Sequence, residues 1–158
     1  MLPVNFIIKI DKMKKFIIFA LTFVSIHSFG QTTSDTLGIK ETSLNYIEGF
    51  YNSDYQRMSK AIHSELAKRI IVKDSAGNIM LQNMGSSQLI YNTKRNKNVN
   101  ILNPDKPFEA KVIIFDIYNN VATVKVTTNK FRFIDYLHLG KFGNEWKIVN
   151  VLWEFIQH

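Results

Sequence analysis

The sequence predicts an α+β domain in which a curved antiparallel sheet wraps over N-terminal helices, forming a cone-shaped α+β barrel. Three observations carry this. Two helical stretches with one buried stripe come first, and the last third of the chain alternates apolar and polar residues as strands do. The strands are joined by Asn119-Asn120 and Gly143-Asn144, pairs that tolerate the left-handed backbone of tight hairpin turns.

At 158 residues the chain has the length of one domain with a proper core. From Met13 it reads as an export signal: Lys14-Lys15, the apolar run 16–26, then Ser28-Phe29-Gly30 with small residues where a signal peptidase looks. Cleavage is expected before Gln31, and residues 1–12 act as an upstream start or an extended positive region. The apolar run is shorter than the ~20 residues of a spanning helix. The expected organisation is therefore residues 1–30 as signal region, 31–38 as a flexible lead-in and 39–158 as the domain. The product is expected to be exported, periplasmic or secreted, and free of the membrane after cleavage. Residues 1–30 hold four lysines and one aspartate, so their removal lowers the net charge from +7 to +4. That excess is too small to argue for nucleic acid. The absence of cysteine excludes disulfides, thiolate metal sites and a cysteine nucleophile.

From Ile39, the positions Leu44, Ile47, Phe50 and Tyr51 give the first helix its buried stripe. Ser53-Asp54-Tyr55-Gln56 has the form of a capping box and opens a shorter second helix. His63-Ser64 ends it. Lys68 to Lys73 reads as a short strand, and Met84 to Thr93 as a third helix. Asn92 to Pro107 is rich in Asn and Lys and closes with two prolines, which predicts a long solvated loop. Its cluster Lys94, Arg95, Lys97 is either an anion site or simply exposed chain.

Glu109 to Tyr118 and Val121 to Lys130 then form a hairpin with Phe115 opposite Val124 and Ile113 opposite Val126. In the last hairpin, a two-residue turn at Gly143-Asn144 sets Leu139 against Ile148, Leu137 against Asn150 and Asp135 against Leu152. This register puts Asp135 and Asn150 on one face among Phe133, Leu137 and Trp146. The other face carries Ile134, Tyr136, Val149, Val151 and Trp153, apolar enough to predict burial in a two-fold homodimer.

Asp135 is the sharpest candidate. A carboxylate on an apolar face is costly unless paired or hydrogen-bonded, so it is either an acid/base with a raised pKa or a structural group that caps a helix or pairs with an Arg or Lys. Asn150 is its companion or a bridge between elements. His63 is either a general base oriented by Asp135 or a helix-end residue. Tyr46, Phe50 and Tyr51 lie where helices would roof the cone, as ligand contacts or as core and rim aromatics.

The segments Tyr46-x-Glu48-Gly49-Phe50-Tyr51-x-x-Asp54, His63-x-x-Leu66-Ala67-Lys68-Arg69, Asp135-Tyr136-Leu137-x-Leu139 and Glu145-Trp146-Lys147-Ile148-Val149-Asn150 resemble the exported "putative lumazine-binding" family of the nuclear transport factor 2-like (ketosteroid isomerase-like) superfamily. The resemblance covers about residues 39 to 155. It implies a cone-shaped, usually dimeric fold with a pocket between sheet and helices, and relatives that include isomerases and dehydratases.

No histidine pair is spaced for a metal, and there is no Gly-rich phosphate loop or G-x-S-x-G turn. No metal or cofactor is expected. The expected function is to bind a small, partly apolar cyclic molecule through Tyr46, Phe50, Tyr51, Phe133, Asp135, Leu137, Trp146 and Asn150. The alternatives are an isomerase or dehydratase using Asp135 and His63, or a dimeric interaction module without a ligand.

Overall fold

The computed structural model describes residues 27–98 and 101–156. Of the expected signal region 1–30, residues 1–26 lie outside the described residues. The chain divides into two units, residues 1–37 and Gly38–His158, and the second holds the domain.

Helix α1 spans His27–Tyr51, so the backbone is already helical across 31–38, where a flexible lead-in and a cleavage point are expected. Helix α2 (Tyr55–Ala61) is capped by Asp54 rather than Ser53: its carboxylate accepts from the backbone N–H of Gln56 and Arg57 at 3.1 and 3.0 Å. Ser53 instead takes a positive φ of 60° and donates its hydroxyl to the carbonyl of Asn96. There follow β1 (Ile62–Lys73), β2 (Ile79–Gly85), α3 (Ser86–Lys94), β3 (Ala110–Tyr118), β4 (Val121–Thr128), β5 (Phe133–Phe142) and β6 (Glu145–Phe155).

The six strands form one sheet in the order β2-β1-β6-β5-β4-β3. All neighbours are antiparallel except β1 and β6, which run parallel. β1 begins six residues before the expected strand and takes in His63. The inner face carries the core: Val124, Val126, Leu137, Ile148 and Val151 are inaccessible to solvent, as are Ile39 and Met58 from the helical side. No helix among the described residues is long and apolar enough to cross a membrane.

Both hairpins turn as expected and then slip by one residue. From the Gly143-Asn144 turn the pairing runs Phe142–Glu145, Lys141–Trp146, Gly140–Lys147, Leu139–Ile148, after which His138 pairs with Asn150. Val149 is thus the extra residue of a β-bulge. Because side chains alternate with period two, one extra residue exchanges the faces of everything beyond it. Asp135 therefore stands opposite Trp153, Leu137 opposite Val151, and Asn150 is turned outward. The β3–β4 hairpin does the same at Phe115: Asp116 pairs with Thr123 and Ile114 with Val124. Phe115 consequently lies on the outer face, 55% exposed, and Ile114 takes its expected place against the core.

The Asn-rich segment after α3 is not simply solvated. Asn96 and Asn98 donate their side-chain amides to the carbonyls of Phe50 and Tyr51, closing the C-terminal end of α1. Further on, Lys130 is 1% exposed, and its ammonium donates to the carbonyls of Asn103, Pro104 and Lys106. It ties the turn before β3 to the end of β4.

Candidate functional site

Alternation along β1 places Leu66, Lys68 and Ile70 on the inner face, and all three are buried. A buried ammonium needs a counter-charge, and Asp135 of β5 provides it: Nζ lies 2.8 Å from Oδ1, with the aspartate side chain fully buried. Tyr46, one helical turn before Phe50 on α1, brings its hydroxyl to 2.5 Å from the same Nζ. Burial, then the negative charge of Asp135, then a hydrogen bond with that carboxylate push the tyrosine pKa well above its usual value. The second carboxylate oxygen, Oδ2, is buried without a hydrogen-bond partner.

Three rings complete the cage around the ammonium. Its Nζ lies 5.0 Å from the centroid of Trp153, 5.3 Å from that of Tyr46 and 5.7 Å from that of Phe133, distances at which ring faces attract a cation. The rings continue outward edge to face: Phe133 on Trp153 at 5.9 Å, Trp153 on Phe155 at 5.1 Å and Phe50 on Phe133 at 6.5 Å. Together with Ile47, Met84, Leu89, Asn92 and Asn96, these side chains enclose a cavity of about 310 Å3. That is the lower end of the roughly 300–1,000 Å3 of ligand pockets, so it suits a molecule of one or two rings.

An ammonium has three donors. Asp135 and Tyr46 accept two of the Lys68 protons, and Lys68 itself lines the cavity. One donor of the ammonium is thus not taken up by these two acceptors. Asp135 does not line the cavity; it stands behind the lysine and fixes its position.

The expected site residues thus separate. Tyr46, Phe50 and Phe133 line the cavity, and Asp135 supports it. Tyr51 does not reach it: its ring stacks on Phe108 at 4.5 Å and meets Phe131 edge-on at 6.1 Å. Leu137 is fully buried core, and Trp146 is buried beneath Gly38 and Thr42. Asn150 is on the outer face, where it accepts from Arg69. His63 does not approach Asp135. Its ring stacks on Phe142 at 4.6 Å, and Phe142 lies seven residues along β5 from Asp135, roughly 23 Å at the usual strand rise. Of the residues expected at a dimer interface, Ile134, Tyr136 and Val149 stay outside. Val151 is fully buried and Trp153 lines the cavity, both carried inward by the bulge at Val149.

Sequence reasoning missed Lys68, Trp153 and Phe155 as site residues, along with Ile47, Met84, Leu89, Asn92 and Asn96 of the lining. The signal for Lys68 was present: a lysine at the centre of Leu66-x-Lys68-x-Ile70 is a charge on an apolar face, the complement of Asp135. Nothing in the pattern reveals a bulge, so Trp153 and Phe155 were not legible. In the basic cluster at the end of α3, Lys94 lies over the Tyr55 ring at 5.2 Å, and Arg95 donates to the Tyr91 hydroxyl at 2.6 Å. No group of three or more potential metal ligands exists among the described residues.

A curved sheet closed over helices is the fold of the nuclear transport factor 2-like proteins. The model of the family described as "Putative lumazine-binding" matches residues 34–154, and the chain belongs to that family. Among solved structures, a nuclear transport factor 2-like protein of unknown function from Shewanella baltica OS155 superposes with a TM-score of 0.60 at 24% identity, covering 80% of this chain and 97% of that one. Another from Silicibacter pomeroyi DSS-3 gives 0.57 at 12% identity, covering 78% and 98%. A ketosteroid isomerase-like protein from Erwinia carotovora atroseptica gives 0.53 at 9% identity, covering 77% and 96%. These likenesses show the fold. No curated protein matches the sequence.

Proposed function

We propose that this chain is an exported binding protein for a small planar ring compound carrying a carbonyl or carboxylate acceptor. The observation that carries the reading is the Lys68 ammonium, which lines the cavity inside an aromatic cage with two of its three donors taken by Asp135 and Tyr46. The rings of Phe50, Phe133 and Trp153 would take the flat faces of the ligand, and the lysine its acceptor. A charge-assisted hydrogen bond in a dry site is strong and directional, so it sets which edge of the ring enters first. The family's name points to lumazine, a fused bicyclic dione that has these features. Export rests on the charged and apolar segment 14–30.

The test is native mass spectrometry of the purified chain, followed by thermal shift and Trp153 fluorescence with lumazine, benzoate and indole as probes. The first two carry acceptors and should raise the melting temperature and quench the tryptophan; indole should do neither comparably. No retained molecule and no response to any probe would overturn the reading. Mass analysis of the exported product checks the expected cleavage before Gln31.

A further inference from the structure

The two edges of the sheet are built differently. β3 closes one side and is guarded: it carries Lys111 and Asp116 and is bent by the bulge at Phe115, the usual means by which an edge is kept from pairing with other chains. β2 closes the other side and has none of these. Ile79–Gly85 reads IMLQNMG, without charge or proline, and it pairs with β1 from Lys73–Ile79 to Ala67–Gly85 with no shift of register. Its apolar side chains are open on both faces: Ile79 is 72% exposed, Leu81 55% and Met80 47%, with Ile71 of β1 at 53% opposite Leu81. The hydrogen-bond phase of this hairpin shows which backbone groups face outward. The Asp74 N–H donates to the Asn78 carbonyl at 2.9 Å. Antiparallel pairs alternate between bonded and unbonded, so Val72–Met80, Ile70–Gln82 and Lys68–Met84 carry the bonds to β1. Ile79, Leu81 and Asn83 therefore direct both N–H and C=O to the open edge, and nothing among the described residues takes them up.

We propose that this edge docks an extended segment of another polypeptide, added antiparallel to β2 as a further strand of the sheet. The free groups name the occupant: N–H and C=O presented together at every second residue are satisfied in full only by another extended backbone. A small ligand would meet one or two of them. The side chains define the segment further. Because β2 is uncharged, the segment is uncharged along its length and apolar where it flanks Ile79 and Leu81. Lys73, cross-strand from Ile79 and exposed, stands at the end where the C-terminus of an antiparallel segment falls. An acidic residue there complements it.

The test uses the full chain and a fluorescently labelled synthetic peptide, Val-Thr-Val-Thr-Val-Thr-Glu, followed by anisotropy. In the antiparallel register the valines lie opposite Asn83, Leu81 and Ile79 and supply the paired N–H groups. The peptide should bind saturably; N-methylation of its valines should weaken binding about tenfold or more, and N-methylation of its threonines should not. Leu81→Pro removes an N–H that β1 does not use, so the melting temperature should stay at the wild-type value while peptide binding is lost. Leu81→Lys keeps the N–H, places a charge at the centre of the edge and gives an independent variant with weakened binding. A wild type that does not bind, methylated peptides that bind alike, or binding undiminished in the two variants would each overturn the proposal. So would self-association of the chain in light scattering that disappears in Leu81→Pro, because a second copy would then hold the edge.

Discussion

Lys68 Nζ stands 2.8 Å from Asp135 Oδ1 although their strands are not neighbours: β6 runs between β1 and β5. The two backbones are about 9.6 Å apart at ordinary strand spacing, and only a side chain as long as lysine closes the gap from the concave side. The aspartate and the lysine therefore fix each other over the floor of the cavity.

Removing one partner should be worse than removing both. Lys68→Met leaves a buried carboxylate uncompensated and is expected to cost about 3–5 kcal/mol, whereas Lys68→Met with Asp135→Leu should recover much of that, because a buried pair owes little to net stability. Urea titrations of the two single variants and the double variant measure the coupling. Additive effects would disprove it.

The tyrosine makes the fold sensitive to alkali. Tyr46 keeps its proton in the folded chain to a pH well above the usual value of 10.0, so the unfolded state releases that proton first. Stability is fully present below pH 10 and declines as pH rises from there toward the folded-state pKa. Tyr46→Phe should flatten this decline, which thermal melts between neutral pH and the alkaline limit would show.

Lys130 works as an internal cation. With its ammonium replaced in Lys130→Met, the carbonyls of Asn103, Pro104 and Lys106 lose their shared donor. Hydrogen bonds to a charged group are worth about 1.5–3 kcal/mol, so a loss of that size in global stability is expected. Hydrogen exchange should quicken first in residues 101–107 and leave the cavity strands protected.

Gly38 is set by a close approach. A Cβ there would come within 2.9 Å of Trp146 Cδ1, on a ring that is only 4% exposed. Alanine in a helix gains about 0.5–1 kcal/mol over glycine, but overpacking costs roughly 1–3 kcal/mol, so Gly38→Ala should destabilise. Near-ultraviolet circular dichroism of the tryptophans would report the displaced ring; a gain in stability would refute the contact.

Periodicity was enough for the helices, the two hairpins and the concave sheet, because each depends on local spacing and on turn residues with special backbone freedom. Asp135 was legible as a charge in the wrong place, and its lysine partner was an alternative that the strand pattern already allowed. What failed was phase. Register counted from Gly143-Asn144 is right as far as Leu139 and Ile148 and wrong beyond, because a bulge is a tertiary accommodation of sheet curvature with no marker in composition. Trp153 and Val151 were thus placed outside and Asn150 inside. The parallel pairing of β1 with β6 was equally invisible, since it joins segments far apart in sequence.

Val149 also divides the last hairpin into two regions that can be edited separately. On the turn side, phase is counted from Gly143; on the cavity side it is reset at the bulge and held by Asp135 and Trp153. Lengthening the loop between Lys141 and Trp146 should therefore leave the cage around Lys68 undisturbed. Deleting Val149 alone removes only the extra residue: Asn150 would follow Ile148 directly, and Trp153 and Phe155 should keep their inward faces in an unbulged ladder.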